Sequence, residues 1–269
     1  MGWLRFWGVR GSLPVPGSAT LRYGGNTAYI ELHIGGALVV LDAGTGLRGL
    51  GAALPDTVDL DLLLSHTHLD HVCGLPFFAP MFRPADRVCI WAADRSIAAV
   101  LRATWSEPLM PSLRGAMRAR VAFQDFQSGD TLSLRPGLVA RTALLNHPGG
   151  ACGYRIESAD ASVVYMTDTE PAPGELNPAL VALAAGADVL VHDANYLPEA
   201  YPRHAGWGHS TWEHAVALAD AAGVRQLLLF HHDPGHDDAC MDRIAAAAAA
   251  RRPGTLVAHE GMRIELPGG

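Results

Sequence analysis

The chain carries 20 basic and 27 acidic side chains in 269 residues, a formal charge of -7, and 13 histidines. Every basic residue is Arg, which excludes a Schiff-base lysine, a P-loop lysine and a lysine general base. The acidic balance argues against a broad nucleic-acid-binding basic face, and the histidines, nearly one residue in twenty, point to metal ligation or acid–base work.

Short apolar runs bounded by turn residues predict strands at Trp3–Val9, Thr27–His33 and Ala37–Leu41. The last two are joined at Gly35-Gly36, a two-residue hairpin signal. Val58–Leu64 is largely apolar and stops abruptly at Ser65, the pattern of a strand buried on both faces that delivers polar residues at its carboxyl end. Asp94 reads as the N-cap of a helix running to about Thr104. Strand patterning returns between Val121 and Thr167, at Leu138–Leu145, Cys152–Ile156 and Ser162–Thr167. Then come a short helix over Pro178–Ala185 closed by Gly186 and a strand at Val189–His192. Ser210 or Thr211 caps a helix that ends at Gly223, and Gln226–Phe230 is a strand. A last helix starts near Asp238, runs through the alanine tract Ala245–Ala250 and is stopped by Pro253. Strands and helices interleave without a linker or a repeat, so a single α/β domain over residues 1–269 is expected, its helices packed outside.

The four cysteines, Cys73, Cys89, Cys152 and Cys240, have no C-x-x-C spacing, so neither a disulfide framework nor a thiolate zinc knot is indicated. The amino terminus lacks a charged region followed by an apolar run, and no apolar stretch reaches the ~18 residues of a membrane span. A reduced, cytoplasmic protein without membrane contact is expected.

The informative segment is Ser65-His66-Thr67-His68-Leu69-Asp70-His71, directly after the buried run. The pattern H-x-H-x-D-H packs four candidate ligands into six residues. Alternate residues of an extended loop share a side, so His66 and His68 can converge on one ion while Asp70 and His71 turn towards a second. A polar surface loop with coincidental histidines is the bland reading. The apolar strand in front and Gly74-Leu75-Pro76 behind weigh against it.

On these residues the chain resembles the metallo-β-lactamase-fold hydrolases, over most of its length. The resemblance implies a four-layer αββα sandwich of two mixed sheets flanked by helices. It also implies that later strand ends supply His147, the bridging Asp168 and His231. The stretches from Asn146-His147-Pro148 to Thr167-Asp168-Thr169, Val191-His192-Asp193-Ala194-Asn195-Tyr196, and Gly208-His209-Ser210-Thr211 look like the phosphodiesterase branch. That branch includes ribonuclease Z and cyclic-nucleotide phosphodiesterases, and there the residue matching His209 is the proton donor to the leaving oxygen. The chain departs from ribonuclease Z where His231 is followed by His232-Asp233-Pro234, and a lysine-free chain has no Gly/Lys-rich arm for transfer RNA. A small or cyclic phosphodiester is therefore expected ahead of tRNA or other nucleic acid.

Seven N/O ligands without a thiol (His66, His68, Asp70, His71, His147, Asp168 and His231) suit two divalent ions, zinc first, with Mn or Fe as alternatives. Asp168 would hold them at the ~3.5–4 Å of two-metal sites, where a bridging water becomes the hydroxide nucleophile. Asp70 and His209 are carried as catalytic residues, the latter as general acid. A helix start depresses a histidine pKa, so a carboxylate, Asp193, is called for beside His209. His192 and His232 are placed next to the ligands, and His236 in a polar loop. Arg10, Arg48, Arg83 and Arg155 are candidate phosphate clamps. The apolar run Leu75–Phe82 is core, a substrate wall or a homodimer contact. Two rival functions use the same metals: hydrolysis of a carbonyl ester, lactone or thioester, and a non-catalytic metal-binding regulator.

Overall fold

The amino-terminal strand reads Trp-Leu-Arg-Phe-Trp-Gly, with Leu4 and Phe6 fully buried and Trp3, Arg5 and Trp7 half-buried, the alternation of a strand with one face on a core. The computed structural model describes residues 2–94, 97–105, 117–172, 174 and 176–268. In chain order its first half comprises β1 (Trp3–Gly8), β2 (Tyr29–Ile34), β3 (Ala37–Leu41), α1 (Leu47–Ala53), β4 (Asp59–Leu64), α2 (Leu69–Val72), β5 (Arg87–Ala93), α3 (Ile97–Thr104) and β6 (Arg120–Phe126). The second comprises β7 (Thr131–Arg135), β8 (Leu138–Leu145), β9 (Ala151–Glu157), β10 (Ser162–Met166), α4 (Pro178–Ala184), β11 (Val189–Asp193), α5 (Trp212–Ala222), β12 (Gln226–Phe230), α6 (Asp238–Arg251), β13 (Leu256–Val257) and β14 (Arg263–Glu265).

These strands form two sheets, ordered β14-β1-β2-β3-β4-β5-β6 and β13-β12-β11-β10-β9-β8-β7. Each is mixed. In the first, the ladders out to β3 are antiparallel and those from β3 to β6 parallel. In the second, β7 to β10 pair antiparallel and β10 to β13 parallel. The sheets face each other across one core, where Leu4, Phe6, Ile30 and Leu32 meet Tyr154, Ile156, Tyr165 and Phe230. Outside the second sheet, Leu180 of α4, Val216 of α5 and Ile244 of α6 pack on Val164, Leu190 and Leu227. Outside the first, Leu47 and Leu50 of α1 and Ile97 and Leu101 of α3 pack on Leu60, Leu62 and Ile90. Helix, sheet, sheet and helix make the four layers that the resemblance implied.

The parallel strands β4, β10, β11 and β12 are covered on both faces, which is why they read as continuous apolar runs. Asp61 inside β4 is tolerated because Arg135 Nε at 2.7 Å and Trp91 Nε1 at 2.9 Å donate to its carboxylate. Thr211 caps α5 through a capping box with His214, and Gly223 ends it in the left-handed conformation at φ 63°. One boundary differs from expectation. Helix α3 starts at Ile97, residues 95 and 96 lie outside the described ones, and the Asp94 carboxylate instead accepts bonds from the Ser128 amide and hydroxyl. Among the described residues no helix is long and apolar enough to cross a membrane.

Candidate metal centre

Most of the polar residues that matter follow or end strands at one end of the two sheets. Asp42 follows β3, the His66–His71 loop follows β4, His147 follows β8, Asp168 follows β10, Asp193 ends β11 and His231 follows β12. Carboxyl ends of parallel strands are where open α/β layers place functional groups. Asp42, Asp168 and His231, together with Ser12, hold positive φ values of 54–61°. A non-glycine residue there costs on the order of 1 kcal/mol or more, so the surrounding bonds must enforce it.

Asp168 divides the cluster. Its Oδ1 faces His66 Nε2 at 3.8 Å and His147 Nε2 at 3.7 Å, while its Oδ2 lies 3.2 Å from both His71 Nε2 and His231 Nε2. Asp70 Oδ2 completes the second group at 3.2 Å from His71 and 3.4 Å from His231. His68 completes the first, with Nδ1 at 3.1 Å from His147 Nε2. Tetrahedral ligands about 2.0–2.2 Å from an ion stand roughly 3.3–3.6 Å apart, close to these spacings.

The imidazole tautomers fit the same reading. Ser65 Oγ gives its proton to Asp42 at 2.8 Å, so the His66 Nδ1–H donates to that oxygen at 3.0 Å. His71 Nδ1 donates to Asp42 Oδ2 at 2.8 Å, and His147 Nδ1 to the Gly208 carbonyl at 2.9 Å. Each ring thus turns an Nε2 lone pair inward, the arrangement of metal-bound histidines held from behind. His66 Nε2 is buried without a hydrogen-bond partner, and His71 Nε2 stands 3.2 Å from His231 Nε2. A cation would satisfy these converging lone pairs. The charges agree: burial opposes an imidazolium at His71, yet Asp70, Asp168 and Asp42 push its pKa well above the ordinary value. Three carboxylates hold positive charge at that point, which is what a divalent ion supplies.

Asp193 organises the adjoining proton site. Its Oδ2 accepts from His209 Nδ1 at 2.8 Å and the Asp168 amide at 3.1 Å. Its Oδ1 accepts from the amides of Ser210 at 2.9 Å and Asn195 at 3.1 Å. Burial works against the charge on His209, but Asp193 overrides it and the pKa is pushed up to about 9. His209 lies two residues before the Thr211 cap, outside α5, so this carboxylate rather than the helix end governs its protonation.

Other expectations resolve individually. His192 donates from Nδ1 to the Asp193 carbonyl at 2.7 Å and lines a separate cavity of about 310 Å³ behind the site. His232 is buried with Nε2 on the Ala258 carbonyl at 2.8 Å, and burial pulls its pKa down to about 3. The clamp reading fails for three arginines. Arg10 is fully buried and donates to the carbonyls of Gly24, Asp233 and His236; Arg83 pairs with Asp86; Arg155 bonds Glu157 and the carbonyls of Leu183 and Ala185. Arg48 stands exposed on α1. His236 contributes its carbonyl to Arg10. Most of the Leu75–Phe82 run is core, through Leu75, Phe78 and Met81, with Phe77 exposed.

Two carboxylates escaped the sequence reading. Asp42 accepts four bonds, from Ser65 N and Oγ, His71 Nδ1 and the Tyr165 hydroxyl. It follows a recognised strand directly, the one signal that could have marked it. Glu170 accepts from the amides of Gly206 and Gly208 and the Tyr201 hydroxyl, tying the loop before His209 to the loop after Asp168.

The comparisons with known proteins agree with this architecture. The family described as Beta-lactamase superfamily domain matches residues 37–232. A ribonuclease Z from Bradyrhizobium sp. (strain ORS 278) is 29% identical over 280 aligned positions, covering 87% of this chain and 92% of that protein. The metallo-beta-lactamase fold protein YhfI from Bacillus subtilis is similar in structure, with a TM-score of 0.75 at 19% identity over 98% of this chain and 100% of that one. A diphosphatase from the PhnP family has a TM-score of 0.71 at 20% identity, with 100% of both chains covered. These two structural likenesses speak to the fold.

Proposed function

The chain belongs to the beta-lactamase superfamily domain family, and from that membership we propose that it is a dinuclear metal-dependent phosphodiesterase acting on a small phosphodiester. The observation that carries the reading is the Asp168 carboxylate, with one oxygen towards His66 and His147 and the other towards His71 and His231, which Asp70 also faces. His66, His68 and His147 would hold one divalent ion and Asp70, His71 and His231 the other, with Asp168 facing both groups; zinc suits the donor set best. Bound there, such ions supply an acidified water and a counter-charge for the phosphate.

The chain's own residues handle the second half of the reaction. His209 is tied to Asp193 through Nδ1, so its Nε2–H is the proton available to a departing alkoxide. With its pKa at about 9 it is protonated at neutral pH. Asp193 fixes that ring and the Asp168 backbone at once, which couples the position of the acid to that of the bridging carboxylate. The -7 charge and the engagement of Arg10, Arg83 and Arg155 in the fold favour a small substrate over a polyanion.

A panel assay with metal analysis tests this. The purified protein is expected to hold about two ions per chain and to hydrolyse bis(p-nitrophenyl) phosphate in preference to lactones, thioesters and precursor tRNA. A metal-free active protein overturns the dinuclear site, and faster turnover of a lactone or thioester overturns the phosphodiester assignment. Because the Bradyrhizobium relative is a ribonuclease Z, preference for the RNA arm overturns only the small-substrate part.

A further inference from the structure

Asp70 and His231 face the same candidate ion position but come from different sheets, Asp70 from the loop after β4 and His231 from the end of β12. The short segment after β1 joins them. The His232 amide donates to the Val9 carbonyl at 2.9 Å and the Gly11 amide to the His232 carbonyl at 3.0 Å, so Arg10 pairs with the residue directly beyond His231. The Ser12 amide then bonds the Asp70 carboxylate at 2.7 Å, from a backbone held at φ 58°. Gly11 lies against the other ligand. A Cβ there would stand 2.5 Å from Cε1 and Nδ1 of His231, so glycine is what permits the approach.

The Arg10 side chain fixes this segment. It is fully buried and donates from Nε to the Gly24 carbonyl at 2.7 Å, and from Nη1 to the carbonyls of Asp233 at 3.2 Å and His236 at 2.6 Å. Asp238, Glu260 and Asp233 supply its counter-charge. The run His232-Asp233-Pro234-Gly235-His236-Asp237-Asp238 takes no part in the reaction and completes the anchor. Asp233 turns the loop through the Gly235 amide at 2.6 Å, Asp237 caps α6 on the Cys240 amide at 2.7 Å, and Asp238 accepts from the amides of Arg22 and Tyr23. The turn at Gly24 and the loop beyond His231 are thereby tied to one guanidinium. Burying that charge gives the fold little, since apolar residues of similar volume commonly fill a core as well or better. Its Nη2 has no hydrogen-bond partner among the described residues, which adds to the cost. A costly group that orders the backbone next to His231 and Asp70 serves the placement of those ligands.

We propose that Arg10 is a positioning residue for the ion that Asp70, His71 and His231 would hold, acting through the backbone of residues 9–12 and 232–236 without touching the ion. The inference rests on the dinuclear reading above and adds a determinant of metal affinity outside the ligand set.

The test is chelator titration of the zinc-loaded protein, where the step belonging to this ion is the one that His231→Ala removes. Arg10→Met, similar in length and uncharged, is expected to melt within a few degrees of wild type and to weaken that step about tenfold. The step that His68→Ala removes stays unchanged, and Arg10→Lys, which keeps the charge and hydrogen-bond donors, recovers part of the loss. An Arg10→Met protein with wild-type affinity at both positions, or weakened equally at both, overturns the inference alone. Unfolding of both Arg10 variants overturns it too, because the guanidinium then serves the fold. Where only Arg10→Lys folds, the same selective loss is required of it. A wild type without a second titration step overturns the dinuclear reading and the inference with it.

Discussion

His71 and His231 are completely buried, whereas His68, three residues before His71 in the same loop, stands exposed. The buried group is braced from behind at nearly every member. Asp42 holds His71, the Ser12 amide holds Asp70, and the Asn195 amide group holds the His231 carbonyl at 2.9 Å. The outer group has Ser65 behind His66 and the Gly208 carbonyl behind His147, while His68 touches the rings of His66 and His147, themselves members of the group. A cluster built this way braces one half on several sides and leaves the other exposed to solvent at His68. Ligand geometry fixed before binding strengthens metal affinity, so the inner position is expected to be the tighter one.

The largest effect should come from the residue that faces both groups. Asp168→Ala is expected to drop metal content from about two ions per chain to fewer than one and to abolish turnover; elemental analysis showing one position still full would mean the halves are independent. His209→Ala separates the proton site from both halves. It should keep its metal and lose about 10²–10⁴-fold in turnover on poor leaving groups, less on p-nitrophenolate. Equal loss for every leaving group would remove His209 from the acid role.

Asp42→Asn removes the direct brace on His71 and reaches the outer group only through Ser65 behind His66, so chelator titration should show the inner affinity weakened about 10–100-fold and the outer position weakened less. Loss of the outer ion first would reverse the comparison. The smallest effect is a displacement in pH. Asp193 raises the His209 pKa to about 9, so acid-form activity is present at neutral pH and falls as pH rises through that value. In Asp193→Asn the alkaline limb should move to lower pH, and an unmoved limb in pH–rate profiles would detach Asp193 from the proton.

Much of this was legible because the candidate metal ligands end or follow strands that announce themselves, while His209 stands out by preceding the Thr211 helix cap. Apolar runs at Val58–Leu64, Leu138–Leu145 and Gln226–Phe230 are strong signals, and a histidine or aspartate immediately beyond one stands out. Asp42 follows Leu41 in the same way and was missed, because one Asp among loop residues carries no spacing pattern. Its importance lies in contacts to Ser65, His71 and Tyr165, 23 to 123 positions away. The arginines failed for the converse reason. A guanidinium reads as a free clamp until the fold shows that Arg10 is fully buried beside the carbonyls of residues more than 200 positions further on.

By itself the sequence determined the local facts: which segments are strands or helices, where caps stop them, and that nitrogen and oxygen ligands sit behind strand ends. Those follow from periodicity, propensity and spacing, which are properties of neighbouring residues. The tertiary structure alone decided which carboxylate oxygen faces which histidine, which imidazole nitrogen turns inward, and that Arg10 holds the loop beyond His231. These depend on how the ends of two separate sheets come together. Residues far apart in the chain are brought within 3–4 Å by packing between layers, and no local pattern encodes that register.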